Sequence, residues 1–285
     1  MILYNDYLKA KYGCKVYRIA LDAGFSCPNI KSGGCIYCNS KGSRAFYTDP
    51  ALSIQKQIET RMEYLKKSKG AEKFIAYFQA HTNTYAPANR LKAAYDQADG
   101  FDGIVGLSIG TRPDTIDREK LKLIASYKER YEVWVEYGLQ SANDRTLKSI
   151  NRGHTFDDFS NAVRLTKGSG ILVCAHVILG LPGETKEDMM ATAKKLAKLK
   201  IEGIKMHLLH ILKGSQLERS YMEGKITLLE QDEYVELARE FLSNLPPDII
   251  VQRLTGQGSR GDHIAPLWAL DKSATIRKIL MANDK

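Results

Sequence analysis

Six short apolar runs recur along residues 15–211: KVYRIAL (15–21), KFIAYFQA (73–80), GIVGLSIG (103–110), YEVWVEYGL (131–139), ILVCAHVILG (171–180) and GIKMHLLHI (203–211). They are rich in β-branched and aromatic residues and mostly apolar on both faces, the pattern of buried parallel strands. Between them the period changes to that of a helix. Ser53 can cap a helix with Ile54, Ile58, Met62 and Leu65 on one face. Thr155 with Asp158, and Thr185 with Asp188, form capping-box patterns ahead of the apolar positions Phe159, Ala162 and Val163, and Met189, Ala193 and Leu196.

Alternation of this kind predicts six βα units and a parallel sheet, either open and doubly wound or curled into a partial barrel. The polar residues favour the barrel. Asn83, Arg112, Gln140 and Glu184 fall at or just past the C-terminal ends of predicted strands, where a βα-barrel assembles its active site. After residue 212 the pattern changes to a helix over 226–245, stopped by Pro246-Pro247, and a short strand DIIVQRL. A glycine-rich stretch TGQGSRGDH and a last helix near SATIRKILM follow. The expected architecture is α/β: a partial (β/α)6 TIM-like barrel over 1–212, with a short C-terminal extension over 213–285 packing on it.

Composition narrows the class without naming a function. A chain of 285 residues, 44% hydrophobic and 26% charged, is an ordinary globular protein of one large or two modest domains. No run approaches the ~20 apolar residues of a membrane span, and MILYNDYLKAKYG lacks the apolar core of a secretory signal, so the expected location is the cytoplasm. The net charge of +9 is uneven, because residues 1–70 hold twelve Lys/Arg against five Asp/Glu and so contribute +7 of it. Such a surface suits a polyanionic partner, although a merely basic enzyme would read the same way.

Five cysteines are too few, and odd in number, for a disulfide-stapled domain. Cys174 sits in a strand run and reads as a small core residue; Cys14 stays open between a core thiol and a fourth ligand. Cys27, Cys35 and Cys38 stand together as C-x7-C-x2-C, among glycines. A structural zinc wants four protein ligands, and no second knuckle follows. A redox CxxC leaves the third cysteine unexplained. Three thiolates can instead hold three irons of a [4Fe–4S] cluster and leave one iron open. Gly33 and Gly34 would let the backbone turn around it, and Tyr37 would exclude solvent. Cluster, zinc and chance all remain readings of the spacing alone.

CPNIKSGGCIYC, placed after the first strand, resembles the cluster loop of the radical S-adenosylmethionine (SAM) enzymes, and its lengthened first gap is similar to that of the YhcC/YtqA-type members. SIGTRPD (108–114), EYGLQSANDRTLKSINRGHT (136–155) and HVILGLPGET (176–185) resemble the branch of the Elongator catalytic subunit and oxygen-independent coproporphyrinogen oxidase. The likeness spans residues 1 to about 260. It implies a [4Fe–4S] cluster on Cys27, Cys35 and Cys38 with SAM on the open iron, and no catalytic side chain is assigned beyond the cluster. The family's Gly-Gly-Glu segment for the SAM amino group is replaced here by Gln79-Ala80-His81-Thr82-Asn83-Thr84, so that task would pass to its carbonyls and the Thr82 or Asn83 side chains. Glu136 would accept the ribose hydroxyls. Gln140 and Arg152 would contact ribose and carboxylate, and Ile178, Gly180 and Leu181 would wall the adenine. Arg112 and Asp114 are open between substrate and structure.

The resemblance further implies a flavodoxin- or ferredoxin-like reductant and no membrane. With the basic N-terminal third, it points to tRNA as partner, with the wobble-uridine side chain as target. The sequence has no acetyltransferase domain, so the expected substrate side chain is one already installed. A small-molecule or tetrapyrrole substrate is the alternative, and a zinc-bearing RNA-binding protein without catalysis is the competing class.

Overall fold

The six apolar runs lie side by side in chain order, because each is too apolar to face water and needs neighbouring strands and helices to cover it. The computed structural model describes residues 1–258 and 261–281; Ser259 and Arg260 of the glycine-rich stretch fall outside them. Its strands are β1 (Ile2–Leu3), β2 (Val16–Leu21), β3 (Lys73–Phe78), β4 (Ile104–Thr111), β5 (Glu132–Gln140), β6 (Leu172–Leu179), β7 (Gly203–Leu208), β8 (Ile211–Leu212), β9 (Ile250–Arg253) and β10 (His263–Ala265). Eight form one parallel sheet in the order β1-β9-β7-β6-β5-β4-β3-β2, and β8 pairs with β10 antiparallel. The expected six strands are β2–β7; β9 and β1 extend the sheet beyond β7.

The sheet curls into a partial barrel. Arg18 on the edge strand β2 donates from Nη2 to Oε1 of Gln252 on β9, 2.5 Å away across the interior. The N-terminal end of this interior is plugged by Val16, Ile75, Trp134, Cys174 and Ile250, with Tyr4 and Leu8 inserted from below. Cys174 is a fully buried core thiol, as its strand position predicts.

The helices are α1 (Tyr4–Tyr12), α2 (Ile54–Lys69), α3 (Ala88–Tyr95), α4 (Arg118–Ala125), α5 (Asp144–Ser149), α6 (Phe156–Gly168), α7 (Lys186–Leu199), α8 (Gln216–Met222), α9 (Gln231–Ser243) and α10 (Lys272–Met281). Ser53 caps α2 by accepting from the Lys56 amide, and both predicted capping boxes form at the starts of α6 and α7. Each such cap stabilises its helix by about 1 kcal/mol. The helix expected over 226–245 is shorter. It starts at Gln231, where Glu230 and Glu233 form their own capping box. Ile226 and Leu228 instead join an apolar layer with Ile178 and Leu181. Among the described residues no helix is long and apolar enough to cross a membrane.

Candidate active site

The cysteine loop follows β2 and reverses on itself. Pro28–Ser32 makes a tight 3-10 turn, and Gly33 and Gly34 follow with φ of 91° and 74°, a region closed to most side chains. The Gly34 amide returns to the Asn29 carbonyl at 2.8 Å, and the Cys38 amide to that of Cys35 at 2.9 Å. This brings the three thiols onto one surface. Cys35 is buried, Cys27 half-buried and Cys38 exposed by area. The Cys38 sulfur nonetheless has enough protein around it that burial, then Cys35 and Cys27, push its pKa up to about 11, against a pull from Arg152. Thiols that oppose one another's ionisation are relieved by a bound cation.

Two asparagines and an arginine fix the loop. Asn29 Nδ2 donates to the Asn151 carbonyl at 2.5 Å and lies 3.4 Å from Cys35 Sγ. Asn151, at φ 51°, donates in turn to the carbonyls of Ser32 (2.8 Å) and Gly34 (2.7 Å). Arg152 donates from Nε and Nη2 to the Gly138 carbonyl and places Nη1 3.6 Å from Cys35 Sγ. Arg112 holds the turn: it grips Asp114 through Nε and Nη2 and donates from Nη1 to the Arg152 carbonyl at 2.8 Å. Both residues are thus tied into the structure of the turn. Asn29 and Asn151 were missed. The one signal was an Asn inside INRG, a residue type that tolerates positive φ.

The other expected cofactor residues gather around the same mouth. Gln140 (φ 77°) lies over Gly138 beside Arg152; a Cβ at Gly138 would come within 2.7 Å of Gln140 Nε2 and 2.8 Å of Arg152 Nη2. Thr82 and Asn83 are buried at the end of β3. Asn83 Nδ2 donates to the carbonyls of Ala80 and Gly110, while its Oδ1 has no partner among the described residues. Ile178 and Leu181 pack in one apolar layer with Ile36 and Tyr37 of the cysteine loop. Burial and the neighbouring Cys35 hold the Tyr37 phenol well above its usual range. Gly180 (φ 81°) touches a different element: a Cβ there would be 2.8 Å from Leu229 Cδ1.

Glu136 lies deeper. It is fully buried on the inner face of β5, and both its oxygens are taken by protein groups. Ser108 Oγ and Arg18 Nη1 (3.0 Å) reach Oε1; Lys205 Nζ and His176 Nε2 (2.9 Å) reach Oε2. A ribose hydroxyl would have to displace one of these. Burial opposes ionisation here, but Arg18, Lys205 and His176 outweigh it and hold the carboxyl well below its ordinary range. The same surroundings push Lys205 down to about 7, burial first and Arg18 second.

The spacing of the thiols bears on what they can hold. Among the described residues, the one trio of ligand atoms within 4.8 Å of one another is that of Glu136, Cys174 and His176, inside the ion-paired interior. The loop thiols are more widely spread than this.

A Radical SAM superfamily model matches residues 27–196, and a Radical_SAM C-terminal domain model matches 201–282. The protein YtqA of Bacillus subtilis is 42% identical over 275 residues, 94% of this chain and 84% of that one. A tRNA uridine(34) acetyltransferase of Dehalococcoides mccartyi is 27% identical over 153 residues, 53% of this chain and 33% of that protein. In fold, the solved structure of the archaeal Methanocaldococcus infernus Elp3 with an N-terminal deletion superposes with a TM-score of 0.61 at 21% identity, covering 91% of this chain and 57% of that one. A loop of three thiols at the mouth of a curled parallel sheet, matched by a family model over residues 27–196, more than half of the chain, makes this chain a member of the radical SAM superfamily.

Proposed function

We propose that the chain is a radical SAM enzyme that holds a [4Fe–4S] cluster on Cys27, Cys35 and Cys38 and modifies a tRNA at the wobble-uridine side chain. The observation that carries the cofactor reading is the set of three thiols on one loop, with Asn29 and Arg152 N–H groups aimed at Cys35. Hydrogen bonds to ligating sulfur steady a cluster and tune its potential. When bound, cluster and SAM together supply reductive cleavage of a carbon–sulfur bond to give methionine and a 5′-deoxyadenosyl radical, with the electron coming from a flavodoxin- or ferredoxin-like donor.

The residues divide the remaining work. Arg152 and Gln140 face the mouth beside Cys35 and suit the SAM carboxylate and ribose. The unpartnered Asn83 Oδ1, with Thr82 beside it, is an acceptor for an ammonium group. Ile178 and Leu181, backed by Tyr37, supply an apolar wall for a purine and keep water out. Gly180 lets that wall come close to Leu229, and Glu136 reaches a ribose only by giving up a protein donor.

The tRNA reading is supported by the +7 charge of residues 1–70, which include the cysteine loop, and by the partial likeness to a tRNA uridine(34) acetyltransferase. Anaerobic reconstitution with iron and sulfide tests the chemistry. A brown protein that converts SAM to 5′-deoxyadenosine under strong reductant is expected; a colourless protein with one tightly held zinc overturns the reading. Mass spectrometry of tRNA nucleosides from cells lacking the protein tests the substrate, and an unchanged wobble-uridine profile overturns the tRNA assignment alone.

A further inference from the structure

We propose that Arg253, His207 and His176, with Lys205 in register between Arg253 and His176, form a subsite inside the barrel that binds an anionic group of the substrate, a phosphate or a carboxylate. The inference rests on the barrel mouth being the substrate entrance. Its starting point is a break in the register of β9. Val251 pairs with Ile204 but Arg253 pairs with Lys205, so Gln252 is an extra residue, a β-bulge. Without it, alternation would send Gln252 inward and Arg253 out to the helix layer. With it, Gln252 still reaches Arg18 across the interior, and Arg253 shares the inner face with Lys205. Bulges that re-aim one side chain recur beside active sites.

Once there, the Arg253 guanidinium has no hydrogen-bond or ion-pair partner among the described residues. A half-buried arginine inside a barrel normally finds a carboxylate, because an unpaired charge there is costly. The nearby acid, Glu136, is already shared by Arg18, Lys205 and His176. Three basic side chains therefore face one carboxylate. The two histidines continue the positive side. The His176 and His207 rings lie 5.6 Å apart, and Gly256 backs the His207 ring so closely that a Cβ would sit 2.5 Å from Nδ1. Burial first, and then Arg253, hold His207 well below its ordinary pKa. An arriving anion supplies the negative charge that Arg253 lacks, and the partial exposure of Arg253, His176 and His207 gives it access.

The test is a titration of the intact reconstituted protein with inorganic phosphate, and separately with malonate, at ionic strength matched with chloride. Thermal stability and the ring signals of labelled histidines are followed together. A saturable rise in melting temperature, with His176 and His207 signals moving, is expected for at least one anion, and Arg253→Gln should weaken it tenfold or more. Preference for phosphate identifies a nucleotide-type substrate group; preference for malonate identifies a carboxylate-bearing one. No saturable response in the wild type, or equal affinity in Arg253→Gln, overturns the proposal. Should Arg253→Gln fold poorly, the wild-type histidine signals decide: titration without movement of His176 or His207 is the overturning result. Cluster absorbance and SAM cleavage are read on the same wild-type preparation, so failure of the cofactor reading is seen separately from failure of the anion site.

Discussion

Arg152 and Cys35 are joined at the centre of the site: Nη1 of the arginine lies 3.6 Å from the sulfur, while Nε and Nη2 hold the Gly138 carbonyl. One planar cation thus ties the cysteine loop to the end of a barrel strand. Lysine cannot make that three-way contact. Arg152→Lys is expected to take up iron but release it faster, with a loss of about 1.5–3 kcal/mol for the charged hydrogen bonds given up. Iron per chain and the rate of bleaching under a chelator check this; unchanged bleaching would show that the guanidinium does not secure the loop.

Glu136 is the one acid among three basic partners, so removing its charge leaves Arg18 and Lys205 uncompensated. Glu136→Gln is expected to destabilise the fold by about 3–5 kcal/mol. Lys205→Met alone also destabilises, yet the double variant should lose clearly less than the sum, since the two residues share one interaction. Urea denaturation of the four proteins measures the coupling. Strict additivity would mean that the pair is not energetically joined.

Gly180 carries two constraints, its φ of 81° and its approach to Leu229. Gly180→Ala should cost about 2–4 kcal/mol, part from the left-handed backbone and part from crowding. Leu229→Ala in the same chain removes the crowding and should return only that part. Denaturation midpoints at constant m-value report both.

Glu184 gives the protein a pH dependence. Burial pushes its carboxyl up to about 7, while Ser141 Oγ donates to Oε1 and pulls the other way. The folded protein therefore holds this proton more tightly than the unfolded chain, whose carboxyl titrates near the ordinary 4.5. The stabilisation is complete below pH ~4.5 and is lost as pH rises through ~7, by about 3 kcal/mol at most. Glu184→Gln should flatten the stability profile across that window in denaturation experiments run pH by pH.

Local rules carried the fold a long way. Two-sided apolar runs placed β2–β7, and Thr155–Asp158 and Thr185–Asp188 marked the starts of α6 and α7 to the residue. The rules failed where tertiary packing decides. Ile226 and Leu228 fit a helical period, but they serve the apolar layer over Ile178. β1 is two residues long and exists because β9 offers it an edge. In the site, the cysteines and Arg152 were legible from spacing and resemblance. The grip of Asn29 and Asn151 was not, since it joins residues 122 apart. Nor was the encirclement of Glu136, which needs inward positions on four other strands to meet.

The cysteine loop is also clasped from the far end of the chain. Gln216 Nε2 donates to the Gly33 carbonyl, the Leu217 amide to that of Ile36, and Asn39 to that of Lys213, while Lys41 pairs with Asp262. A ribosome makes the thiols early and their clasp late. Until the last quarter of the polypeptide has emerged, the loop is held by Asn29, Asn151 and Arg152 alone, and the thiols reach their final surroundings only after Lys213, Gln216 and Leu217 arrive.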